Sequence, residues 1–201
     1  MSKLTISISL ALFIIALLSG CSPERGKNEQ TTGTTNFKNM LMPDGKKLLS
    51  VEDGPVRDIM DEPAVDLDTF KLEITGLVDS SYVLTWDEIL EFPAYDTDTM
   101  IMYCVEGWEV WGRWKGILVK YKAVLAYSVN GRTLKNSNGF PLRLIAFGKL
   151  GYKWAKTVIR LEVKDASQTG FWEGYGYPDK ADVPVSRRQY YEGMDVKPLE
   201  Y

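Results

Sequence analysis

The residue types best suited to redox chemistry gather at positions 103–108, where Cys104 stands among aromatic residues and glycine, with Trp111 and Trp114 close behind. A cysteine thiolate is a soft and strong metal ligand, and a single thiolate leaves the other metal positions to a cofactor or a substrate. The stretch therefore indicates that Cys104 is a metal ligand in a cofactor-dependent redox enzyme. The alternative is that Cys104 is an inert buried thiol.

The neighbours of Cys104 have less specific interpretations. Glu106 is either a catalytic acid or, more commonly for such a carboxylate, a structural acceptor of backbone hydrogen bonds. Trp108, Trp111 and Trp114 are more typical of a core or a pocket wall than of an electron relay.

Composition narrows the classes of function. The chain has 201 residues, of which 45% are hydrophobic and 25% charged, and this is typical of one globular domain. A formal net charge of −3 lacks the basic bias of nucleic-acid-binding proteins, so no nucleic-acid partner is expected. The chain contains no histidine, which excludes histidine-dependent triads, histidine-ligated zinc sites and histidine proton shuttles.

The first 20 residues are typical of a signal peptide rather than of a structural element. Lys3 precedes an apolar run at 4–18, which is short for a membrane span. The run ends in small residues before Cys21, and this resembles the bacterial lipobox, in which the cysteine is lipidated. The less favoured alternative is a transmembrane anchor that happens to contain a cysteine.

Lipidation of Cys21 has two consequences. The mature protein is expected outside the cytoplasmic membrane, attached by acyl chains to the cell membrane or the outer membrane and facing the periplasm or the exterior. Cys104 would then lack a disulfide partner within the chain. Residues 21–36 are polar and predict a flexible tether, 37–65 an extended arm, and 66–201 the folded domain.

Local patterns predict the elements that must position Cys104. Alternation at 70–74 favours a half-buried strand, and Thr85 with Glu88 forms the signature of a helix capping box. Residues 99–105 predict a strand that delivers Cys104 at its end. Asn130-Gly131 predicts a tight turn after a strand.

The composition of the chain after residue 115 predicts further elements. Residues 116–127 are apolar and partly helical in character, whereas 142–146 and 157–163 predict strands. The region from Gly170 onward is rich in glycine, proline and aromatic residues, which predicts an irregular tail, and Arg187 and Arg188 are expected to be surface charges.

Several of these segments together resemble the sulfite-oxidase type of molybdopterin-dependent oxidoreductase. The resemblance extends over roughly residues 66 to 185, and its pieces follow the family's order. They are Leu72–Leu77, Leu84–Leu90, Cys104–Trp108 with Trp114–Gly116, Asn130-Gly131 with Gly139–Leu144 and Gly151–Lys156, and Trp172–Tyr177 with Ala181–Pro184. The fold implied is a mixed α/β (α+β) molybdopterin-binding domain rich in β-sheet.

The resemblance also implies site residues. Cys104 falls on the molybdenum-ligand position, where the pterin dithiolene and oxo groups complete the metal shell. Asn138 and Arg143 match pterin contacts of the branch that reduces methionine sulfoxide. The run Trp154, Ala155 and Lys156, with Lys153 beside it, matches the segment that holds the cofactor phosphate.

The chemistry of these side chains agrees with the implied roles. Arginine and lysine can neutralise a phosphate, and an asparagine amide offers both a donor and an acceptor to a pterin ring. Lys149, Lys153 and Lys156 surround glycine and aromatic residues, which favours a phosphate-binding patch over a solvated face.

One departure from the family is visible in the spacing. A few tens of residues that separate two of its segments are missing here, where 120–123 bridge them directly. The domain is therefore predicted to be shortened near 117–125. A threonine that contacts the pterin in this interval has no counterpart, and the family's N-terminal pterin contacts are not recognisable.

Two functions follow as hypotheses. The first is an exported, lipid-anchored molybdopterin-dependent oxidoreductase that transfers an oxygen atom and two electrons at a Cys104-ligated molybdenum. Its substrate would be a small oxyanion or a sulfoxide, and a haem-containing or quinone-linked membrane partner would exchange electrons with it. The second is a catalytically inactive lipoprotein that retains the fold as a binding or interaction module, which the shortening favours.

Overall fold

The computed structural model describes residues 40–42, 44–59, 61, 63–120 and 123–189. The predicted signal peptide, the lipidated Cys21 and the tether at 21–36 lie outside these residues. None of the helices within the described ranges is long and apolar enough to cross a membrane.

The described chain forms two β-sheets with few helices. The strands are β1 Leu49–Ser50, β2 Lys71–Gly76, β3 Tyr82–Thr85, β4 Ala94–Tyr103, β5 Glu109–Lys120, β6 Ala123–Val129, β7 Arg132–Thr133, β8 Arg143–Ala146 and β9 Arg160–Val163. The helices are α1 Trp86–Glu91 and α2 Val185–Gln189, with 3₁₀ turns at Asn136–Asn138, Gly151–Lys153 and Glu173–Tyr175. This strand-rich architecture confirms the expected mixed α+β fold.

The larger sheet has six strands and is built on β5. One edge of β5 pairs with β4 in antiparallel register, from Tyr103 opposite Glu109 to Ala94 opposite Ile117. Its other edge pairs first with β1, in parallel, and then with β6. The outer edge of β6 carries β7 and β8. Trp114, near the middle of β5, is buried in the main core cluster.

The smaller sheet has the order β3-β2-β9, antiparallel between β2 and β3 and parallel between β2 and β9. Helix α1 follows β3, and Thr85 caps it as the sequence predicts. The Thr85 hydroxyl accepts a hydrogen bond from the Glu88 amide at 3.4 Å, and the Glu88 carboxylate accepts one from the Thr85 amide at 2.8 Å. Leu72 and Ile89 are buried in the core cluster that joins this sheet to the larger one.

Two local predictions were wrong. Residues 116–120 and 123–127 are strand rather than partly helical, because β5 and β6 approach closely there: a Cβ at Gly116 would lie 2.0 Å from the Leu125 carbonyl oxygen. β-branched residues in this stretch also favour strand. The tail is not wholly irregular, since α2 forms at 185–189.

The arm before the domain joins the larger sheet through β1. Leu48 is buried beside Ile101 and Tyr103, and Val51 lies in the main core cluster. The Val51 amide donates a hydrogen bond to the Trp111 carbonyl at 2.8 Å. These contacts fix the point from which residues 55–59 cross toward Cys104.

Candidate active site

A cavity of about 740 Å³ lies beside Cys104. Ligand pockets commonly have volumes of roughly 300–1,000 Å³. All seven residues predicted to bind the metal or the cofactor line this one cavity: Cys104, Asn138, Arg143, Lys153, Trp154, Ala155 and Lys156. Positions up to 52 residues apart along the chain are thus brought together, and their binding roles remain predictions.

Cys104 begins the loop of the β4–β5 hairpin. Its amide donates to the Trp108 carbonyl at 2.9 Å, and the Gly107 amide donates to the Cys104 carbonyl at 3.1 Å. Gly107 has a φ of 95°, a left-handed conformation that glycine adopts without steric cost. The loop therefore holds Cys104 at the end of a paired strand and open to the cavity.

The surroundings of Cys104 favour the thiol form. Burial raises the pKa of the Cys104 thiol, and the charge of the Glu106 carboxylate adds to this, while the Glu106 backbone amide, Arg187 and Arg57 act in the opposite direction. The thiol lies 3.9 Å from a Glu106 carboxylate oxygen, at the long limit for a sulfur donor. A bound metal ion would supply the positive charge that stabilises a thiolate here.

Glu106 is engaged in structural contacts. The Trp108 indole donates to it at 2.8 Å, and the Arg57 Nε donates at 3.0 Å. The Trp108 and Arg57 hydrogen bonds hold the pKa of Glu106 below its usual range. Glu106 thus connects the Cys104 loop to the segment at 55–59, which agrees with a structural carboxylate.

Arg187, expected to be a surface charge, instead supports the Cys104 loop from α2. Its guanidinium donates to the Cys104 carbonyl at 2.7 Å and to the Glu109 carboxylate at 2.9 Å. It also lies 5.4 Å from the centre of the Tyr103 ring. The Arg187 side chain is 22% exposed and that of Glu109 only 3%. The sequence alone could not indicate this contact, because 83 residues separate Arg187 from Cys104.

Arg143 and Asn138 are buried residues of the cavity lining. They are 3% and 4% exposed. The Arg143 guanidinium donates to the Asn138 carbonyl and to the Met102 sulfur, each at 3.2 Å. Its Nε has no hydrogen-bond partner within the described part of the chain. Burial lowers the pKa of Arg143 to about 10, and the Asp58 carboxylate partly opposes this.

The three lysines do not form one phosphate-binding patch. Lys149 pairs with Asp182 and does not line the cavity, while Lys153 pairs with the nearly buried Glu173. Lys156 pairs with Asp58 at 2.5 Å and donates to the Arg57 carbonyl at 3.0 Å. Lys149 therefore lies outside the predicted patch, while the phosphate-binding roles of Lys153 and Lys156 stay predictions. Lys153 and Lys156 reach the cavity already partnered by carboxylates.

Trp154 and Ala155 shape the cavity through packing and backbone contacts. The Trp154 ring lies edge-on to Trp114 at 5.9 Å, and its indole nitrogen donates to the Lys149 carbonyl at 3.0 Å. The Ala155 carbonyl accepts from the Leu144 amide at 2.8 Å. This run is tied to β8, which also carries Arg143.

The residues present fit an anionic, sulfur-ligated metal cofactor. A buried guanidinium with an unsatisfied Nε is suited to an anion, and Cys104 offers a thiol at the same cavity. Asn138 is buried beside them. Among the described residues, no group of three or more Cys, Asp or Glu side chains is arranged to hold a metal ion.

Comparisons with known proteins agree with the motif-based resemblance. Residues 113–172 match the family model described as an oxidoreductase molybdopterin binding domain. A provisionally named protein-methionine-sulfoxide reductase subunit, YedZ1 of Azospira oryzae, is 31% identical over 147 residues, or 56% of each chain. The uncharacterized oxidoreductase YuiH of Bacillus subtilis is 27% identical over 158 residues, or 61% of this chain and 79% of the relative.

A third relative is the protein-methionine-sulfoxide reductase catalytic subunit MsrP of Gluconobacter oxydans. It is 26% identical over 167 residues, or 55% of this chain and 54% of the relative. The chain thus spans about half the length of YedZ1 and of this MsrP. The predicted resemblance to molybdopterin oxidoreductases is confirmed, and the matched domain is of the molybdopterin-binding type.

The extents of these matches also bear on the predicted shortening. The 147-residue match to YedZ1 takes up only 56% of this 201-residue chain, so the relative has a few tens of residues without counterpart here. This agrees with a shortened domain. The placement of the shortening near 117–125 stays a prediction. In the structure, β5 and β6 pair as neighbours up to Lys120 opposite Ala123.

Proposed function

We propose that this chain is an exported, lipid-anchored molybdopterin-dependent oxidoreductase that transfers an oxygen atom and two electrons to or from a small substrate. The observation that carries the proposal is that one cavity is lined both by Cys104 and by Arg143, whose buried guanidinium is incompletely hydrogen-bonded. One thiol for a metal and one cation for an anion are the two groups that a molybdopterin cofactor requires of its protein.

Each of the seven predicted binding residues has a role in this proposal. Cys104 binds the metal through its thiolate, and the hairpin loop with Arg187 fixes where the sulfur lies. Asn138 and Arg143 hold the pterin, and Lys156 holds the phosphate, with Lys153, Trp154 and Ala155 forming the adjoining wall. The bound cofactor supplies oxygen-atom and electron transfer.

The residues near Cys104 also control access to it. Trp108, Glu106 and Arg57 are linked by hydrogen bonds at the same side of the cavity. They fix the shape of the entrance through which a substrate reaches the metal-binding thiol. Because Glu106 holds both neighbours, it acts as a positioning group rather than as a free acid.

The substrate class and the partner rest on the relatives. Two of them are named as parts of protein-methionine-sulfoxide reductases, and a sulfoxide is accordingly the favoured substrate over an oxyanion. Electrons would come from a haem-containing or quinone-linked membrane partner. Lipidation at Cys21 would keep the domain at the membrane surface, facing the periplasm or exterior.

A second candidate is a non-enzymatic lipoprotein that keeps the fold as a binding module. The observation that favours it is the shortening relative to YedZ1. Loss of core segments exposes apolar surface, and Leu118 and Val119, next to the predicted junction, are 50% and 42% exposed. The two candidates differ in whether the folded protein carries molybdenum.

Metal analysis distinguishes the oxidoreductase from the non-enzymatic binding module. The protein is expressed in a host that makes molybdopterin, purified, and assayed for molybdenum by mass spectrometry. The oxidoreductase proposal predicts close to one molybdenum per chain in the wild type and almost none in Cys104→Ala. Val105→Ala serves as the control, since it truncates the adjacent exposed side chain of the same loop and should retain the metal.

Circular dichroism and a cooperative thermal melt accompany every sample, because an unfolded chain cannot report on metal binding. A wild-type protein that is well folded and free of molybdenum would contradict the oxidoreductase proposal and favour the binding module. Equal molybdenum in wild type and Cys104→Ala would contradict the assignment of the ligand.

A further inference from the structure

The segment at 55–59, which follows β1, crosses the cavity and is bound to both of its sides. Arg57 pairs with Glu106 of the Cys104 loop at 3.0 Å. The next residue, Asp58, pairs with Lys156 on the opposite side at 2.5 Å. We refer to residues 55–59 as the strap. It links the metal-ligand loop to the cation predicted to hold the cofactor phosphate.

The Asp58–Lys156 pair is partly shielded from solvent. The Lys156 side chain is 22% exposed and that of Asp58 is 30% exposed. A pair in this setting is screened less than one on an open surface, so its attraction is appreciable. The Arg57 carbonyl also accepts from Lys156 at 3.0 Å, which gives the ammonium two oxygen contacts from the strap.

Asp58 also acts on the second cation of the cavity. Its carboxylate raises the pKa of Arg143, against the larger lowering caused by burial. Arg143 itself has no carboxylate in hydrogen-bond contact among the described residues, so Asp58 pairs directly with Lys156 and acts on Arg143 only through its charge. A phosphate bound there would meet the same two cations and would repel the carboxylate.

We propose that Asp58 is an internal anion that occupies the cationic end of the cavity and is displaced when a phosphate group binds there. A phosphate ester carries more negative charge and more acceptor oxygens than one carboxylate, so it can replace the Lys156 contact. The strap then loses the ion pair between Asp58 and Lys156 and keeps the one between Arg57 and Glu106.

The strap is suited to such a movement. Val56 and Ile59, which flank Arg57 and Asp58 in the strap, are both exposed. The strap therefore lies over the cavity without being buried in it. Its release would cost little apolar burial. The anion affinity of the cofactor-free protein is therefore reduced by the fraction of molecules in which Asp58 is bound to Lys156.

That the phosphate belongs to the cofactor rests on the proposed function, whereas the competition between Asp58 and a phosphate group for Lys156 does not. Inorganic pyrophosphate tests this competition directly. The cofactor-free full chain is titrated with pyrophosphate at constant ionic strength, and binding is followed by the rise in melting temperature. We expect Asp58→Asn to bind pyrophosphate about tenfold more tightly than the wild type, because its competitor is removed. Lys156→Met should lose most of the binding.

Asp61→Asn is the matched control. Asp61 lines the same cavity and the substitution makes the same change of charge, but the ion pair with Lys156 that the structure describes is made by Asp58. Its pyrophosphate affinity should change less than twofold. Equal gains in Asp58→Asn and Asp61→Asn would overturn the proposal, since they would reflect net charge alone.

Hydrogen exchange on the wild type gives a second measurement that needs no variant. Saturating pyrophosphate should speed amide exchange at 56–59 while slowing it at 155–157. Unchanged or slower exchange in the strap, or no pyrophosphate binding to either wild type or Asp58→Asn, would contradict displacement. Competition in a protein that takes up no molybdenum when expressed in a host that makes molybdopterin would support the Asp58 inference while refuting the proposed function, so the two fail separately.

Discussion

Two arginines beside the cavity are in opposite states. Arg187 does not line the cavity and supports the Cys104 loop, on what we call the Cys104 side, whereas Arg143 lines the cavity on what we call the cofactor side, where the cofactor is predicted to bind. Arg187 supports the Cys104 side and is paired with the buried Glu109 and with two backbone carbonyls. Arg143 lies on the cofactor side, more deeply buried, with contacts to a carbonyl and a thioether and no contacting carboxylate among the described residues. The Cys104 side is complete without a ligand, whereas Arg143 has only the non-contacting carboxylate of Asp58 to offset its charge.

This difference indicates which part of the cavity is scaffold and which part is binding site. A buried charge without a counter-ion destabilises a fold, and a protein retains it only where some other benefit offsets that cost. A bound anion is such a benefit. The paired Arg187 needs no ligand, and its contacts serve to fix the loop that carries Cys104.

The largest stability effect is expected for Arg187→Met. This change removes the cation beside Glu109 and the hydrogen bonds to the carbonyls of Cys104 and Trp108 in the loop. The free energy of unfolding should fall by roughly 3 kcal/mol, the lower end of the range for breaking a buried ion pair, because Arg187 is partly exposed. Urea denaturation of the cofactor-free protein measures it.

A double variant sharpens this result. Arg187→Met combined with Glu109→Gln should be more stable than the sum of the two single effects predicts, because the two side chains interact. Strict additivity would mean that Arg187 does not stabilise the loop through Glu109.

Arg143→Met should have the opposite effect on the cofactor-free protein. Folding lowers the pKa of this base to about 10, so the protonated guanidinium destabilises the native state at every pH below that value, by roughly 3 kcal/mol. Removing the charge also removes two hydrogen bonds and the contact with Trp114, which leaves a net gain of about 1–2 kcal/mol.

The same variant should lose most of its molybdenum. Stability and metal content are thus expected to change in opposite directions at Arg143, whereas at Arg187 both should fall. If Arg143→Met destabilises the cofactor-free protein as much as Arg187→Met does, the contrast between the two sides is lost.

A third substitution gives a reference far from both sides. Thr85→Ala removes the side-chain cap of α1 and should lower the free energy of unfolding by about 1 kcal/mol. Molybdenum per folded chain should not change. A loss of metal comparable with that in Arg143→Met would show that metal content follows stability alone and not the contacts of the cavity.

The smallest expected effect is the pH dependence of the same cap. Hydrogen bonds from Thr85 lower the pKa of Glu88 below its ordinary value of 4.5. A carboxyl whose pKa is lowered by folding stabilises the protein above its ordinary pKa and loses this contribution as the pH falls through the lowered value. Wild type should therefore lose more stability than Glu88→Gln between pH 6 and pH 3, as urea melts at each pH would show.

Local signals in the sequence predicted much of the fold. The capping box at Thr85 and Glu88 formed as its spacing required. The Asn130-Gly131 turn has both residues at positive φ, as its composition indicates. The strand ending before Cys104 followed from its β-prone composition. These features depend on residues within a few positions of one another, so a pattern in the chain is enough to reveal them.

The parts of the site that were missed depend on distant contacts. Asp58 and Lys156 are 98 positions apart, and their pairing required the strap to cross the cavity. Arg187 reaches the Cys104 loop from the tail. The strands at 116–120 and 123–127 were misread because the close approach of β5 and β6 at Gly116, a tertiary contact, overrides the local helical character.

The central claim is that Cys104 supplies a sulfur ligand to molybdenum while the opposite side of the cavity holds the rest of the cofactor. X-ray absorption at the molybdenum edge tests it by counting the sulfur neighbours of the metal in wild type and in a metal-containing preparation of Cys104→Ser. We predict three sulfurs in the wild type, two from the pterin dithiolene and one from Cys104, and two in the variant. The same sulfur count in both proteins would contradict the claim.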